Sequence, residues 1–339
     1  MTALPVSGRE WHLVARPHGW PEPGDVALRE APVAEPGEGR ILVRNLYFSV
    51  DPYMRGRMND TKSYAAPYEL DKPMYGGAVG EVIASRAEGL AVGDHVVHAL
   101  GWREYAELPA EQATRVDAGL APLSAYLGVL GMPGHTAYAG LFEVASFQAG
   151  DAVFVSGAAG AVGSQAGQFA RIKGASRVIG SAGSDEKVKL LIEEYGFDAA
   201  FNYRNGPVGE QLKEAAPDGI DVYFDNVGGE HLEAAIASFN PHGRATLCGM
   251  IAQYNSTEPT PAPRNLGLTV GKRLRLQGML VRDHAALRPR FVKDVAGWLA
   301  SGELKYHETV VDGIEKGFDA FLGLLRGENT GKMIVSLER

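Results

Sequence analysis

Three glycines, spaced Gly157-x-x-Gly160-x-x-Gly163, punctuate the run Val153-Phe-Val-Ser-Gly-Ala-Ala-Gly-Ala-Val-Gly-Ser164. A buried strand that enters a glycine turn and then a helix presents backbone N–H groups, at the positive end of the helix, to a pyrophosphate. As a bare pattern the spacing is weak, because the chain holds 43 glycines. Its setting strengthens it. Residues 152–156 read as a strand, and residues 165–172 continue as a helix. Gly160 would let the backbone approach phosphate, and Gly163 would let helix and strand pack closely.

The residues that follow decide which dinucleotide is favoured. An NAD site usually carries an acid at the tip of the next strand, for the ribose hydroxyl. Here the tip reads Ser181-Ala-Gly183, with Ser184 and Lys187 behind it and Tyr203 further on. Those three candidates suit an additional phosphate, so NADPH is expected over NADH. Ser184 doubles as a natural N-cap for a helix starting at Asp185. Asp185 and Glu186 fall in its first turn, where acids favour the helix dipole whatever the cofactor.

Other chemistries find less support. His95 and His98 are three apart, which on a strand points them to opposite faces, and the other seven histidines are scattered singly. A catalytic zinc needs three protein ligands, so no metal site is expected. Cys248 ends an apolar run and reads as a small core thiol rather than a nucleophile. Tyr68 and Lys72 match a Tyr-x-x-x-Lys pair but precede the glycine motif and lie between Pro67 and Pro73, so the match is coincidental. Two phenols are better placed. Tyr53, in Asp51-Pro-Tyr-Met-Arg-Gly-Arg57, leaves a strand at a proline turn. Tyr254 is expected to follow the sixth-strand position of the sheet, and the carboxyl ends of such strands bind ligands. A tyrosine there can hydrogen-bond a carbonyl while its ring excludes water.

These residues need a scaffold, and the 339-residue chain is long enough for two cores. Its net charge of −8 gives no electrostatic footprint for nucleic acid. The N-terminal residues lack a signal-peptide plan, and the longest uncharged run, 153–170, is too rich in glycine and polar residues for a membrane span. A cytoplasmic enzyme is expected. Runs at 11–16, 41–50, 78–86 and 94–100, separated by Pro/Gly clusters, read as short strands of a partly open β barrel. From residue 137 helix and strand alternate, with helices over 137–147, 162–173, 185–195, 208–215 and 230–239. The intervening strands fall at 152–156, 176–181, 198–202, 220–225 and 244–248, a pattern that builds a parallel doubly wound sheet. Residues 272–281 read as a further strand, 287–301 as a helix, and the tail as strand, helix, strand. Head and tail are expected to form one discontinuous domain, residues 1–125 and 303–339, around a Rossmann domain at 126–302.

Several separated segments carry a resemblance over nearly the whole chain. They are Asn45-Leu-Tyr-Phe-Ser-Val-Asp-Pro-Tyr-Met-Arg-Gly-Arg-Met58, Leu130-Gly-Met-Pro-Gly-His-Thr-Ala-Tyr138, Ser181-Ala-Gly-Ser-Asp-Glu-Lys187, Phe224-Asp-Asn-Val-Gly-Gly229, residues 248–255 and Gly327-Glu-Asn-Thr-Gly-Lys332. Together they resemble the zinc-independent medium-chain dehydrogenase/reductases, in the leukotriene B4 dehydrogenase, prostaglandin reductase and plant double-bond reductase group, nearest its bacterial curcumin-reductase branch. Zinc-dependent relatives carry a Cys after the early strand and a Gly-His-Glu motif, where this chain has Ser49-Val-Asp-Pro-Tyr53 and Tyr75-Gly-Gly-Ala-Val79.

The resemblance implies a GroES-like catalytic domain beside the Rossmann domain, and NADPH-dependent reduction of the C=C bond of α,β-unsaturated ketones and aldehydes. An NADPH:quinone oxidoreductase on the same fold is the alternative. It implies that Gly160, Ala161, Val162 and Gly163 touch the pyrophosphate, and that Lys187 and Tyr203, beside Ser184, hold the 2′-phosphate. Asn226, Cys248, Gly249, Met250, Ile251, Tyr254, Met279, Leu280, Val281 and Asn329 would line the rest of the cofactor. Tyr53 and Tyr254 match tyrosines near the enone, and a further plant tyrosine falls on Gly77, a gap that Tyr64 or Tyr75 would fill. A homodimer through the nucleotide-binding domains and a small-molecule substrate complete the implication.

Overall fold

The computed structural model describes residues 4–338. Its chain begins with short strands: β1 (Ser7–Leu13), β2 (Val26–Pro32), β3 (Arg40–Ser49), β4 (Lys72–Pro73), β5 (Ala78–Ser85), β6 (His95–His98), β7 (Tyr105–Pro109) and β8 (Thr114–Arg115). One turn of helix, α1 (Tyr53–Arg57), follows β3. The central part alternates α2 (Met132–Ala139), β9 (Ala152–Val155), α3 (Gly163–Ile172), β10 (Arg177–Ala182), α4 (Asp185–Glu193) and β11 (Ala199–Asn202). It continues with α5 (Val208–Ala215), β12 (Ile220–Asp225), α6 (Gly229–Ser238), β13 (Phe239–Leu247), α7 (Leu268–Lys272), β14 (Arg275–Gly278) and α8 (Arg288–Ser301). The tail adds β15 (Glu308–Asp312), α9 (Gly317–Arg326) and β16 (Lys332–Ser336).

Two units result. The first comprises the described residues up to Leu127, Glu308–Asn329 and those from Met333; the second comprises Gly128–His307 and Thr330–Lys332. The first is a β-sheet unit. β3 pairs antiparallel with β5 along one edge, and along the other with β7 at its start and β16 at its end. A smaller sheet, ordered β2-β1-β4, belongs to the same unit. In the unit's core Trp102 packs tilted against Phe48 at 5.3 Å and edge-on against Phe321 at 6.0 Å.

The second unit is a six-stranded sheet ordered β11-β10-β9-β12-β13-β14, with every pair parallel. Parallel strands are covered on both faces, so they read as continuous apolar runs. Val153, Phe154, Val155, Val222, Tyr223 and Phe224 are accordingly buried. On one face Tyr138, Phe169, Phe291 and Trp298 form an aromatic cluster. Phe154 and Tyr223 stack at 5.0 Å amid residues from α5 and α6. The order reverses between β9 and β12, and the crevice beyond the carboxyl ends at such a switch point binds ligands.

Several local expectations are corrected. The strand over 272–281 is shorter, because residues 268–272 are helical and Arg273 turns the chain at φ +54°. Lys272 explains the helix: its Nζ donates to the Ala237 and Phe239 carbonyls at 2.6 and 2.7 Å, capping the end of α6. The helix over 137–147 starts earlier, with Pro133 in its first turn, and closes in a wider π turn at Gly140–Val144. There Gly140 lies where a Cβ would come within 2.6 Å of Phe224 and 2.9 Å of Met279 Sδ.

Candidate functional site

In the second unit each expected cofactor residue follows the carboxyl end of a strand of one parallel sheet. After β9 the chain makes the glycine turn. Gly157 adopts φ +58°. A Cβ on Gly163 would lie 2.4 Å from the Gly157 carbonyl and 2.9 Å from Ala158 Cα, so helix and turn touch backbone to backbone. A Cβ on Gly160 would meet only the Gly157 carbonyl, at 3.3 Å. Ala161 and Val162 then lead into α3, with the Ala161 carbonyl accepting from Gln165 Nε2 at 2.6 Å. The first N–H groups of a helix have no intrahelical acceptor. A turn of glycines and small residues before such a helix fits a pyrophosphate. Gly331 pins the turn from outside: its N–H donates to the Ala159 carbonyl at 2.8 Å, and it bridges Gly160.

After β10, Ser184 caps α4, its hydroxyl accepting the Lys187 N–H at 3.3 Å. The half-buried Lys187 ammonium is lowered from its ordinary pKa by burial and then by the nearby Arg204 cation. Tyr203, after β11, is exposed, and the Arg204 guanidinium stands 5.8 Å from its ring centre. Arg204 was not anticipated, although it adjoins Tyr203 in sequence. The two acids that resembled an NAD signature are engaged elsewhere. Asp185 accepts from the side-chain amides of Asn202 and Asn205 at 2.8 and 3.0 Å, and Glu186 is held low by its own backbone and by Ser184. The two amides hold the Asp185 carboxylate in place, while Lys187 and Arg204 are the cations that follow β10 and β11. This donor set fits a 2′-phosphate.

After β12, Asn226 faces back toward β9, its N–H and Nδ2 donating to Ser156 Oγ and O at 3.0 and 2.8 Å. After β13, Cys248 and Gly249 N–H both donate to the Asp225 carbonyl, at 2.9 and 3.0 Å, and Ile251 N–H donates to that of Asn226 at 3.3 Å. Burial, then Asp225, pushes the Cys248 thiol up to about 12, which keeps it protonated and un-nucleophilic at neutral pH. Tyr254 follows the fifth strand of this sheet in chain order and not the sixth, because β14 comes after it. Its phenol oxygen accepts the Met250 N–H at 3.3 Å. A hydroxyl that accepts a hydrogen bond is polarised to donate its own more strongly. Met279, Leu280 and Val281 follow β14, the Met279 N–H bonding the Leu247 carbonyl at 3.2 Å.

The remaining expected residues belong to the first unit, including the buried Asn329. Tyr53 opens α1 rather than a bare turn. Burial, then Asp51, holds its phenol well above the ordinary range, while Arg57 pulls the other way and Tyr64 and Tyr75 add smaller upward pushes. The three tyrosines therefore share one electrostatic neighbourhood. Arg57, another residue missed in the sequence, organises it. Its guanidinium lies 4.4 Å from the Tyr68 ring centre and 3.9 Å from that of Tyr75, with Nε donating to the Ala66 carbonyl at 2.9 Å. Tyr68, of the coincidental pair, spends its hydroxyl on the Tyr75 carbonyl at 2.7 Å. A Cβ on Gly77 would meet Leu127 and Ser49 at ordinary distances, 3.5 and 3.6 Å. Among the described residues no group of three or more His, Cys, Asp or Glu could hold a metal ion, and no helix is long and apolar enough to cross a membrane.

Comparison with known proteins agrees with this architecture. Residues 9–116 match the family model described as the N-terminal domain of oxidoreductase, and residues 161–298 match that of zinc-binding dehydrogenase. The NADP(+)-dependent 2-alkenal reductase of Nicotiana tabacum is 41% identical, over 98% of each chain. The NADPH-dependent curcumin reductase of Escherichia coli is 39% identical, over 96% of each. The crystal structure of CurA in complex with NADPH from Vibrio vulnificus superposes with a TM-score of 0.93 at 39% identity, covering 98% of this chain and 99% of that one. The chain belongs to the medium-chain dehydrogenase/reductase family, in its group of prostaglandin, alkenal and curcumin reductases.

Proposed function

We propose that this chain is an NADPH-dependent double-bond reductase acting on α,β-unsaturated ketones and aldehydes, the chemistry named for its tobacco and E. coli relatives. Bound NADPH supplies the hydride that reaches the β-carbon. Negative charge then grows on the carbonyl oxygen and needs a hydrogen-bond donor aimed at it. Tyr254 is that donor, and the bond it accepts from Met250 N–H carries the assignment. Gly160, Ala161, Val162 and Gly163 receive the pyrophosphate. Ser184, Lys187 and Tyr203 take the 2′-phosphate, while Asn226, Cys248, Gly249, Met250, Ile251, Met279, Leu280, Val281 and Asn329 line the rest. Tyr53, kept protonated by burial, joins Tyr64 and Tyr75 in contacting substrate, with Gly77 leaving room for bulky enones. Reduction proceeds without a metal.

The second unit's sheet has an open edge at β14, where Arg275, Gln277 and Gly278 are exposed. Pairing of two such edges favours a homodimer, and we place the enzyme in the cytoplasm.

The test is product analysis with the purified protein. Saturated ketone or aldehyde should accumulate with NADPH, and far more slowly with NADH. Tyr254→Phe should lower kcat about 100–1000-fold. Full kcat in that variant would remove Tyr254 from the role. Faster turnover of quinones than of any enone would favour quinone reduction instead, since quinones accept hydride without a positioned α-proton donor.

A further inference from the structure

At the end of β12, Asp225 is completely buried, and donors converge on one of its oxygens. Oδ1 accepts the Tyr223 hydroxyl at 2.7 Å, the Gly228 N–H at 2.8 Å, the Val227 N–H at 2.9 Å and the Ser156 hydroxyl at 3.2 Å. The backbone carbonyl of the same residue accepts the Cys248 and Gly249 N–H groups. Ser156 is the last residue before the glycine turn, Val227 and Gly228 belong to the loop after β12, and Cys248 and Gly249 begin the loop after β13. One residue thus ties together the loops leaving three neighbouring strands, β9, β12 and β13. Burial raises the carboxyl's pKa, and these same donors pull it back down. Oδ2 has no hydrogen-bond partner. A buried carboxylate oxygen without a partner is costly, and an apolar core would carry no such cost. Stability alone does not account for the group.

We propose that the Asp225 carboxylate is a positioning group, which holds the turn after β9 and the loop after β12 in one register, beside the β13 loop that the residue's own backbone carbonyl secures, and so sets the shape of the crevice that takes the pyrophosphate and nicotinamide half of the cofactor. The residues assigned to the 2′-phosphate follow β10 and β11, and none of them bonds Asp225. The inference rests on the NADPH reading and makes a claim separable from it. Loss of Asp225 should cripple binding of the whole dinucleotide and spare the adenosine 2′-phosphate end.

The experiment compares direct binding of NADP+ and of adenosine 2′-monophosphate, which lacks the pyrophosphate, by calorimetry, to the full-length wild type, Asp225→Ala, Asp225→Asn and the double variant Ser156→Ala/Tyr223→Phe. Asparagine retains an oxygen where Oδ1 stands and should weaken NADP+ less than alanine does. Expected is a rise of at least tenfold in the NADP+ Kd for Asp225→Ala, with the adenosine 2′-monophosphate Kd within twofold of wild type. The double variant, which keeps the backbone donors, should fall between, and it carries the test if alanine at 225 does not fold. Unchanged NADP+ binding in the folded variants overturns the inference, as does an equal loss of both ligands. Wild-type protein that binds neither ligand would instead sink the cofactor reading.

Discussion

Two glycines of the turn separate what the fold needs from what the ligand needs. A methyl on Gly163 would sit 2.4 Å from the Gly157 carbonyl, about 1 Å inside ordinary contact at 3.4 Å. The opposing atoms are backbone, so no side-chain rotation relieves the clash. Either α3 or the turn must move by about that amount. Overpacking of this kind costs about 1–3 kcal/mol. For a unit of this size each kcal/mol lowers Tm by about 2–4 °C, so Gly163→Ala should melt roughly 2–12 °C earlier. A displacement near 1 Å at a positioned group can cost about 100-fold, so NADP+ binding should weaken by one to two orders of magnitude as well. Gly160→Ala makes the opposite case. Its methyl would lie 3.3 Å from one carbonyl, which a shift of a few tenths of an ångström relieves. Its Tm should stay within about 2 °C of wild type. Yet its NADP+ Kd should rise at least tenfold, because the methyl projects where phosphate must approach. Thermal unfolding by circular dichroism and titration of NADP+ against intrinsic fluorescence give both quantities on the same samples. A Gly163→Ala protein with wild-type Tm, or a Gly160→Ala protein as destabilised as Gly163→Ala, would refute the division of labour.

Replacing Lys187 with Met should remove a charge-assisted bond to the 2′-phosphate, about 1.5–3 kcal/mol, and so raise the NADPH Kd about 10- to 100-fold while leaving that for NADH unchanged. Parallel titrations with both dinucleotides read the difference. Acid should destabilise both units before their carboxylates protonate. Burial depresses His98 to about 3 and His231 to about 4, whereas an unfolded histidine titrates near 6.5. The unfolded chain then binds more protons as pH falls below 6.5, so stability is full above that value and is lost on acidification toward 4. At pH 5 each histidine should cost about 2 kcal/mol relative to pH 8, measurable as a falling urea midpoint that His98→Asn and His231→Asn make shallower. Lys272→Met should remove the cap on α6 and cost about 1–2 kcal/mol in urea unfolding, without altering NADP+ affinity.

Much of the second unit was legible in the sequence, because its information is local. A strand buried on both faces must be apolar throughout, and a helix must show its own period, so helix α5 and strand β12 fall on the residues expected of them. The glycine turn was legible for the same reason: its spacing is a steric requirement met within seven residues. Segments governed by distant partners were read less well. Lys272, where a strand was expected to begin, instead ends helix α7 and reaches carbonyls more than thirty residues away. Tyr254 does follow the strand expected before it, but that strand is the fifth of the sheet and not the sixth, because β14 comes later in the chain.

The chemistry divides in the same way. Residue types alone argued for a phosphate-bearing dinucleotide and against a metal, since donor sets are counted from side chains. They could not show that Asp185 is occupied by Asn202 and Asn205, that Arg204 stands beside Lys187, or that Arg57 gathers the tyrosines. Nor could they show one buried carboxylate at Asp225 tying the turn after β9 to the loop after β12. Most of these are meetings of groups that different segments bring together. In the second unit the parallel order of the strands, and in the first the antiparallel pairing and the turn after β3, decide which of them meet.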